Sequence, residues 1–367
     1  MSRLIATYLV TCAERDVAAR AAAIASEQSV ECPLEAITEQ RILDEIVARV
    51  ASIEPAGPGK FRVEVAIAAQ TIGANPVQFI NMVFGNASLW DDVAFVDLAV
   101  PEDVLALFPG PRHGVAGIRR LLGVTGRALT NAAMKPQGLH VPELAAMCRT
   151  FALAGVDMIK DDHGIDDQPY SPFAERVRAC QAAIAAATAA TGKTALYAPN
   201  LIGTPRVLRE RARIARDEGV RAVLIAPMLV GLPAFFDLVD EFPDFVYLAH
   251  PSFGGARHIA PELLFGRLLR LFGSDAVIFV NVGGRFGYTR EMCAALAAGA
   301  RAPWGTLRPT LPVPAGGMRL ERVEELLDFY GPDSMLLIGG NLLIEADRVL
   351  ERTREFVDRV AAHRFAT

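Results

Sequence analysis

The sequence predicts an α/β protein with a C-terminal (β/α)8 (TIM) barrel, preceded by a small α+β domain of ferredoxin-like type. After about residue 115 one unit, an apolar strand followed by a helix, occurs eight times, in number and size as a barrel requires. These strands are apolar along their whole length, as in a parallel sheet buried on both faces. A doubly wound open sheet is the alternative, but it usually has fewer strands, and no GxGxxG motif opens the first unit.

In the first part of the chain, segments with the alternating hydrophobic pattern of strands are interspersed with segments that have the helical pattern. Residues 4–10, 60–69 and 95–100 read as strands, and residues 17–27 and 77–84 read as helices. The segment FPGPRHG, with two prolines and two glycines, predicts the crossing between the domains. We therefore expect an α+β domain over 1–115 and the barrel over 116–367.

Each barrel strand is recognised by an apolar run that ends in a polar or turn-forming segment. The eight segments end at Gly138, Gly164, Asn200, Met228, Ser252, Gly284, Gly317 and Asn341. In a barrel of parallel strands the active site lies at the carboxyl ends of the strands, so the polar residues of these segments are the functional candidates.

Composition excludes several classes of protein. Of the 367 residues 52% are hydrophobic and 22% are charged, which excludes a disordered chain. The net charge of -5 does not show the excess of positive charge that is typical of nucleic-acid-binding proteins, and no apolar run is long enough to cross a membrane. The five cysteines form no CxxC spacing, and because the first residues show no apolar core followed by a small-residue cleavage site, we expect no secretion signal. We expect a cytoplasmic protein whose partners include neither nucleic acid nor membrane.

Two glycine pairs follow the seventh and eighth strands, Gly316-Gly317 and Gly339-Gly340. Barrels commonly bind a phosphate at these two strand ends, where glycine lets backbone N–H groups approach the oxygens. One pair alone would read as a turn. Two pairs at these positions favour phosphate binding.

The segment IKDDHG after the second strand contains the most specific candidates for metal binding and acid–base catalysis. Asp162 and His163 offer oxygen and nitrogen ligands, and carboxylates suit a hard cation such as Mg²⁺. Lys160, at the end of a buried strand, needs a partner or a lowered pKa, and the latter would make it a base. The alternative is that Lys160 only pairs with Asp161 or Asp162, and the residues alone leave both readings open.

Together these segments resemble the RuBisCO large chain. FALAGVDMIKDDHGIDDQPYSPFAERV is similar to the family's activation segment, KPQGL to its first strand end, and FPGPRHG to its interdomain link. VPAGGM and LLIGGN resemble its two phosphate-binding segments, and ASEQSV and INMVFGN resemble first-domain segments that reach the active site. The motifs keep their order over most of the chain.

The resemblance implies a role for each barrel candidate. Lys160 matches the lysine that CO₂ carbamylates, and Asp162 and His163 fall on the other two Mg²⁺ ligand positions. Lys135 matches the lysine that moves protons to and from the substrate, and His250 matches a histidine near the substrate.

The resemblance also implies the phosphate contacts and the assembly. Glu27 and Asn81 fall near positions that complete a neighbouring subunit's site, so a head-to-tail homodimer is expected. The expected phosphate contacts are Gly316, Gly317, Gly339 and Gly340.

Departures from the family pattern indicate a different reaction. His163 replaces a glutamate ligand, and Pro251 replaces an arginine that grips one phosphate. Arg285, a candidate catalytic residue, stands where a carboxylase has the lysine that orients CO₂. Gln137 stands near a second catalytic lysine's position, and Ala315 replaces a serine that touches the substrate. We expect a monophosphate substrate and no CO₂ fixation.

The predicted function is Mg²⁺-dependent enolisation and proton transfer on a phosphorylated ketose. The resemblance favours 5-methylthioribulose 1-phosphate isomerase, an activity of methionine salvage. The alternatives are a 2,3-diketo-5-methylthiopentyl-1-phosphate enolase and a decarboxylase or hydrolase of a branched oxo-sugar-acid phosphate of the 3-oxo-isoapionate 4-phosphate type. A non-catalytic sugar-phosphate binding protein is a further alternative, but a pure binder needs no acid–base lysine.

Overall fold

The computed structural model describes residues 2–73, 75–256 and 258–365. The chain forms two compact units, one of residues 2–108 with 254–264, the other of residues 109–253 with 265–365. In the described part of the chain, no helix combines the length and the apolar character that a membrane crossing requires.

The first unit contains a four-stranded antiparallel sheet in the order β2-β3-β1-β4. Its strands are β1 (Arg3–Thr11), β2 (Arg49–Pro55), β3 (Lys60–Ala68) and β4 (Val93–Ala99). The sequence pattern predicts three of these strands and misses β2. The reason is physical, because every side chain of β2 is at least partly exposed and the strand carries no clear apolar alternation.

Helices of the first unit are α1 (Val17–Glu27), α2 (Pro76–Phe84) and α3 (Glu102–Leu105). Helix α2 begins where Asn75 accepts hydrogen bonds from the backbone N–H groups of Val77 and Gln78. Tyr8, Phe84 and Phe95 pack together beneath the sheet. The predicted small α+β fold is confirmed.

The second unit is built on parallel strands, which form ladders in the orders β13-β5-β6-β7 and β8-β9-β10-β11-β12. Strands β7 and β8 are the two halves of one barrel strand, interrupted at Pro199, so the barrel has the eight predicted strands. The strands are β5 (Leu129–Ala133), β6 (Met158–Lys160), β7 (Leu196–Ala198), β8 (Asn200–Leu201), β9 (Ala222–Ile225), β10 (Val246–Ala249), β11 (Ala276–Val280), β12 (Leu311–Ala315) and β13 (Met335–Ile338). The predicted (β/α)8 barrel is confirmed.

Helices connect these strands and cover the sheet. In chain order the remaining helices are α4 (Gly114–Leu122), α5 (Val141–Ala154), α6 (Phe173–Thr191), α7 (Pro205–Asp217), α8 (Pro227–Val230), α9 (Leu232–Glu241), α10 (Pro261–Leu263, in the first unit), α11 (Leu269–Leu271), α12 (Arg290–Arg301), α13 (Val323–Tyr330) and α14 (Val349–Ala362). Apolar side chains from the eight barrel strands, such as Leu129, Leu224 and Val313, form one buried cluster. This packed interior leaves the strand ends as the place for a site.

The segment 254–264 belongs to the first unit because it extends that unit's sheet. Phe95 of β4 donates from its backbone N–H to the carbonyl of His258 at 2.8 Å, and Ala260 donates to the carbonyl of Phe95 at 2.9 Å. The change between units along the chain falls after Phe108, within the predicted link, whereas the predicted domain border lies at 115/116. The sequence pattern does not predict that residues 254–264 belong to the first unit, because a single bridge between distant segments leaves no periodic pattern in the sequence.

Candidate active site

The predicted barrel residues lie at one end of the barrel because they follow the carboxyl ends of its parallel strands. By strand they are Lys135 after β5, Lys160 at the end of β6 with Asp162 and His163 after it, His250 after β10, Arg285 after β11, Gly316 and Gly317 after β12, and Gly339 and Gly340 after β13.

Asp162 is the centre of a polar cluster. Its Oδ1 accepts a hydrogen bond from Lys135 Nζ at 2.5 Å and lies 3.3 Å from His163 Nδ1. Burial acts to raise the pKa of Asp162, but the contacts with His163 and Lys135 outweigh it and hold that pKa well below the ordinary value. The carboxylate is therefore ionised and is available as an oxygen ligand.

Lys160 is buried and does not form the ion pair that was the alternative reading. Its Nζ donates to the backbone carbonyl of Asp161 at 2.9 Å, and no carboxylate of the described residues lies within ion-pairing distance. Burial, helped by the charge of Lys135, lowers the pKa of Lys160 to about 8, although Asp162 opposes this shift. A substantial fraction of the amine is thus neutral near pH 8.

Asp161, in the same segment, stabilises the structure through hydrogen bonds to buried groups. Its carboxylate accepts hydrogen bonds from Arg176 Nε at 3.1 Å, Tyr197 OH at 2.8 Å and the backbone N–H of Asn200 at 3.0 Å. All of these side chains are buried. Sequence reasoning does not find Arg176 or Tyr197, because nothing in the pattern of a helix or strand shows which buried polar group it will meet.

Two amide side chains hold the loop after β6. Asn200 Nδ2 donates to the carbonyls of His163 and Ile165, both at 2.9 Å, and Gln137 Nε2 donates to the carbonyl of Gly164 at 2.7 Å. The loop that carries Asp162 and His163 is therefore fixed through its backbone, which leaves both side chains to the site.

His250 lies against His163. The two imidazole rings stack with centroids 4.3 Å apart and planes 12° from parallel. Burial, together with the charge of Lys160, lowers the pKa of His250 well below its ordinary value. The ring is therefore neutral at physiological pH.

The glycine pairs stand beside charged side chains. Gly316 and Gly317 have φ angles of 90° and 85°, which favour glycine, and the backbone N–H of Arg285 donates to the Gly316 carbonyl at 3.2 Å. A Cβ on Gly339 would lie 3.5 Å from Lys135 Cε, so Lys135 borders the second pair. Gly340 opens a short 3₁₀ turn, Gly340–Leu342.

Glu27 and Asn81 belong to the first unit. Glu27 Oε1 accepts a hydrogen bond from Asn86 Nδ2 at 2.7 Å, and Asn81 Nδ2 donates to Gln78 Oε1 at 3.3 Å. The buried Gln28 joins their segments, because its Nε2 donates to the Asn81 and Met82 carbonyls and its Oε1 accepts from the backbone N–H of Ala87. Only its place beside Glu27 could have drawn attention to Gln28.

The side chains of Asp162 and His163 would suit a divalent cation if Lys160 supplied a third ligand. Within the described ranges, no three His, Cys, Asp or Glu side chains are grouped as a complete metal site. Asp162 and His163 supply adjacent oxygen and nitrogen donors, and a third donor on this strand end requires that Lys160 carry a carboxylate. The neutral form of the Lys160 amine is the form that reacts with CO₂.

Comparison with known proteins identifies the family. Residues 114–277 match the model of the ribulose bisphosphate carboxylase large chain, catalytic domain. The chain is 50% identical to ribulose bisphosphate carboxylase-like protein 1 of Rhodopseudomonas palustris, with 98% of each chain covered. It is 49% identical to 5-methylthioribulose-1-phosphate isomerase of Rhodospirillum rubrum, over 98% of this chain and 96% of the relative.

A relative of lower identity and a solved structure indicate the same family. The chain is 32% identical to a 2,3-diketo-5-methylthiopentyl-1-phosphate enolase of Geobacillus thermodenitrificans, over 93% of this chain and 88% of that relative. The crystal structure of a Rubisco-like protein from Rhodopseudomonas palustris superposes with a TM-score of 0.92 at 48% identity, with 99% of each chain covered. The chain therefore belongs to the RuBisCO large-chain family and, within it, to the RuBisCO-like enzymes.

Proposed function

We propose that the protein isomerises 5-methylthioribulose 1-phosphate by proton transfer and does not fix CO₂. The observation that carries this proposal is the pairing of Lys135 with Asp162 at 2.5 Å, directly beside Gly339. A lysine at this place is next to both the carboxylate of the cluster and the candidate phosphate site. The 49% identity to a relative that is named for this isomerase supports the choice of substrate.

The proposed cofactor is one Mg²⁺ ion. Asp162, His163 and a CO₂-derived carbamate on Lys160 would hold it, and as a Lewis acid it supplies stabilisation of negative charge on the substrate oxygens. Lys160 is buried and its amine has a lowered pKa, which favours carbamate formation over a permanent positive charge.

The proposed roles of the remaining side chains follow their positions. The glycine pairs bind the single phosphate through backbone N–H groups, and Arg285 adds positive charge beside Gly317. Lys135, or a carbamate on Lys160, would remove a proton from the carbon next to the carbonyl, which would leave an enediolate. The other group would deliver a proton to a different carbon, and proton exchange with solvent would then restore the starting protonation of both groups, so that the cycle balances.

The proposed assembly is a head-to-tail homodimer in which Glu27 and Asn81 complete the site of the partner subunit. Gln28, which follows Glu27 directly, is buried and holds the backbone at Met82 and Ala87 by hydrogen bonds. In this proposal, residues 1–115 serve the neighbouring subunit and residues 116–367 carry the catalytic barrel.

The test is proton NMR of the protein with 5-methylthioribulose 1-phosphate, Mg²⁺ and bicarbonate in D₂O. We expect a new methylthio pentulose phosphate that forms only with Mg²⁺, and its deuterium pattern locates the proton that moved. Deuterium entering the substrate without a new product would indicate enolisation and a different sugar phosphate. No change at all would reject the methionine-salvage assignment.

A second candidate is the enolase reaction on 2,3-diketo-5-methylthiopentyl 1-phosphate, favoured by the relative at 32% identity that bears this name. Both reactions begin with removal of a proton next to a carbonyl, so the same residues serve either. Parallel assays with the two substrates distinguish them, and the isomerase proposal requires the larger kcat/KM with the methylthioribulose phosphate.

A further inference from the structure

The Nδ1 edge of His250 faces Ser252. Nδ1 lies 2.8 Å from Ser252 Oγ and 3.2 Å from the Ser252 backbone nitrogen. A backbone N–H can only donate, so Nδ1 must offer its lone pair, and the ring carries its proton on Nε2. Between the two residues stands Pro251, which has no N–H of its own, so the N–H of Ser252 is the first that the chain offers to the ring.

The rest of His250 is also held in place. Its backbone N–H donates to the carbonyl of Ile225 on β9 at 2.7 Å, and one ring face stacks on His163. Nε2 is the remaining polar atom of the ring, and it makes no hydrogen bond to any residue that the structure describes. The N–H that is left for a ligand is therefore the one on Nε2.

We propose that Ser252 is a positioning residue that keeps the proton of His250 on Nε2, so that His250 meets the substrate as a hydrogen-bond donor and not as a base. This role rests on the proposed proton transfer, in which negative charge develops on substrate oxygens. A donor aimed at such an oxygen stabilises the charge without changing its own protonation, and loss of one such donor typically lowers kcat by about 10²- to 10³-fold.

The first test is spectroscopic and needs no turnover. The chain has six histidines, so a ¹⁵N-histidine-labelled sample gives a small set of imidazole signals, and the His250→Gln variant identifies those of His250. We expect the Nε2–H tautomer in the wild-type protein. Ser252→Ala loses the hydroxyl at 2.8 Å but keeps the backbone N–H at 3.2 Å, so we expect a larger Nδ1–H fraction there, and Ser252→Thr should restore the wild-type signal. Finding the proton on Nδ1 in the wild-type protein would overturn the proposal, and no change in Ser252→Ala would overturn the role of the Ser252 side chain.

The second test separates the two edges of the ring by activity. The amide of His250→Gln places an N–H donor near the position of Nε2, whereas His250→Asn reaches only the position of Nδ1. We expect the Gln variant to keep kcat within about 10-fold and the Asn variant to lose about 10²- to 10³-fold. Ser252→Ala should lower kcat and leave KM unchanged, and Ser252→Thr should restore kcat.

Equal losses in the Gln and Asn variants would overturn the donor role. A wild-type protein that turns over none of the candidate sugar phosphates would reject the proposed function. The tautomer measurement would then still decide whether Ser252 fixes the His250 ring, so the two failures are distinguishable.

Discussion

The guanidinium of Arg176 donates from Nε to Oδ2 of Asp161 at 3.1 Å, and neither side chain is exposed to solvent. This ion pair lies under the segment that carries Lys160 and Asp162, one residue on either side of Asp161. The same guanidinium holds the carbonyls of Asp166 and Ser171 through Nη1, at 2.8 and 2.7 Å. Arg176 thus ties the start and the end of the loop after β6 to helix α6.

Replacing Arg176 by Met should lower the free energy of unfolding by about 3–5 kcal/mol, because it leaves the Asp161 carboxylate buried without a counter-charge. Urea unfolding measures the effect. The matched control is Arg178→Met on the same helix, where the arginine side chain is 69% exposed and pairs with Glu218. That change should cost about 0–1 kcal/mol, and equal losses in the two variants would contradict the assignment.

Lys135→Met should lower kcat of the proposed isomerase by about 10²- to 10⁴-fold, because it removes the candidate acid–base group. The side chain is 35% exposed, so the fold should survive the change. Phosphorus NMR of substrate turnover measures kcat, and Lys193→Met, outside the candidate site, is the control. A Lys135→Met protein with near wild-type kcat would remove Lys135 from the mechanism.

Carbamate formation on Lys160 should rise steeply between pH 7 and pH 9. The pKa of about 8 lies below the ordinary lysine value of 10.5, so the neutral, reactive amine accumulates as the pH rises through 8. About a tenth is neutral at pH 7 and about nine tenths at pH 9. The initial rate at which the carbamate signal grows from ¹³C-labelled CO₂, followed by ¹³C NMR at constant dissolved CO₂, should level off above pH 9.

The Lys160→Met variant should show no such signal, and Lys193→Met should keep it. A rate of carbamate formation that continues to increase tenfold per pH unit up to pH 10 would mean that burial does not lower the pKa of Lys160.

Gly317→Ala should raise KM about 10-fold, the equivalent of one weakened hydrogen bond to an anion. The added Cβ would lie 3.1 Å from the Arg285 backbone nitrogen, and the φ of 85° is strained for alanine. Gly192→Ala is the control, because its φ of 69° carries similar strain but its Cβ would meet no atom within 4 Å. Both variants should lose about 1–2 kcal/mol of stability, and only Gly317→Ala should change KM for the sugar phosphate.

The proposed sharing of active sites between subunits predicts complementation between inactive variants. When Glu27→Gln and Lys160→Met subunits are mixed and exchanged, half of the dimers are mixed and each of these has one intact site. Activity should therefore recover to about a quarter of the wild-type value if sites are built across a two-fold dimer. Lys135→Met mixed with Lys160→Met should recover nothing if both lysines serve the same subunit's site. Recovery in neither mixture would argue against a shared site.

The sequence by itself determined the barrel and the residues at its strand ends. Fully apolar strands such as Ala222–Ile225 can only be buried on both faces, and Lys135, Lys160 and the glycine pairs follow directly where such strands stop. Local periodicity and turn residues carry this information, so eight barrel strands were predictable. Strand β2 was not, because its exposed side chains leave no apolar pattern.

Only the tertiary structure decided which polar groups meet. Lys160 and Asp162 are two residues apart, yet the Asp162 carboxylate pairs with Lys135 from another strand, while Lys160 donates to a backbone carbonyl. The Asp161–Arg176 pair and the stack of His163 on His250 likewise join segments that are distant along the chain. Such contacts depend on the geometry of the closed barrel and on the free energy of burying a charge, neither of which leaves a periodic trace in the order of residues.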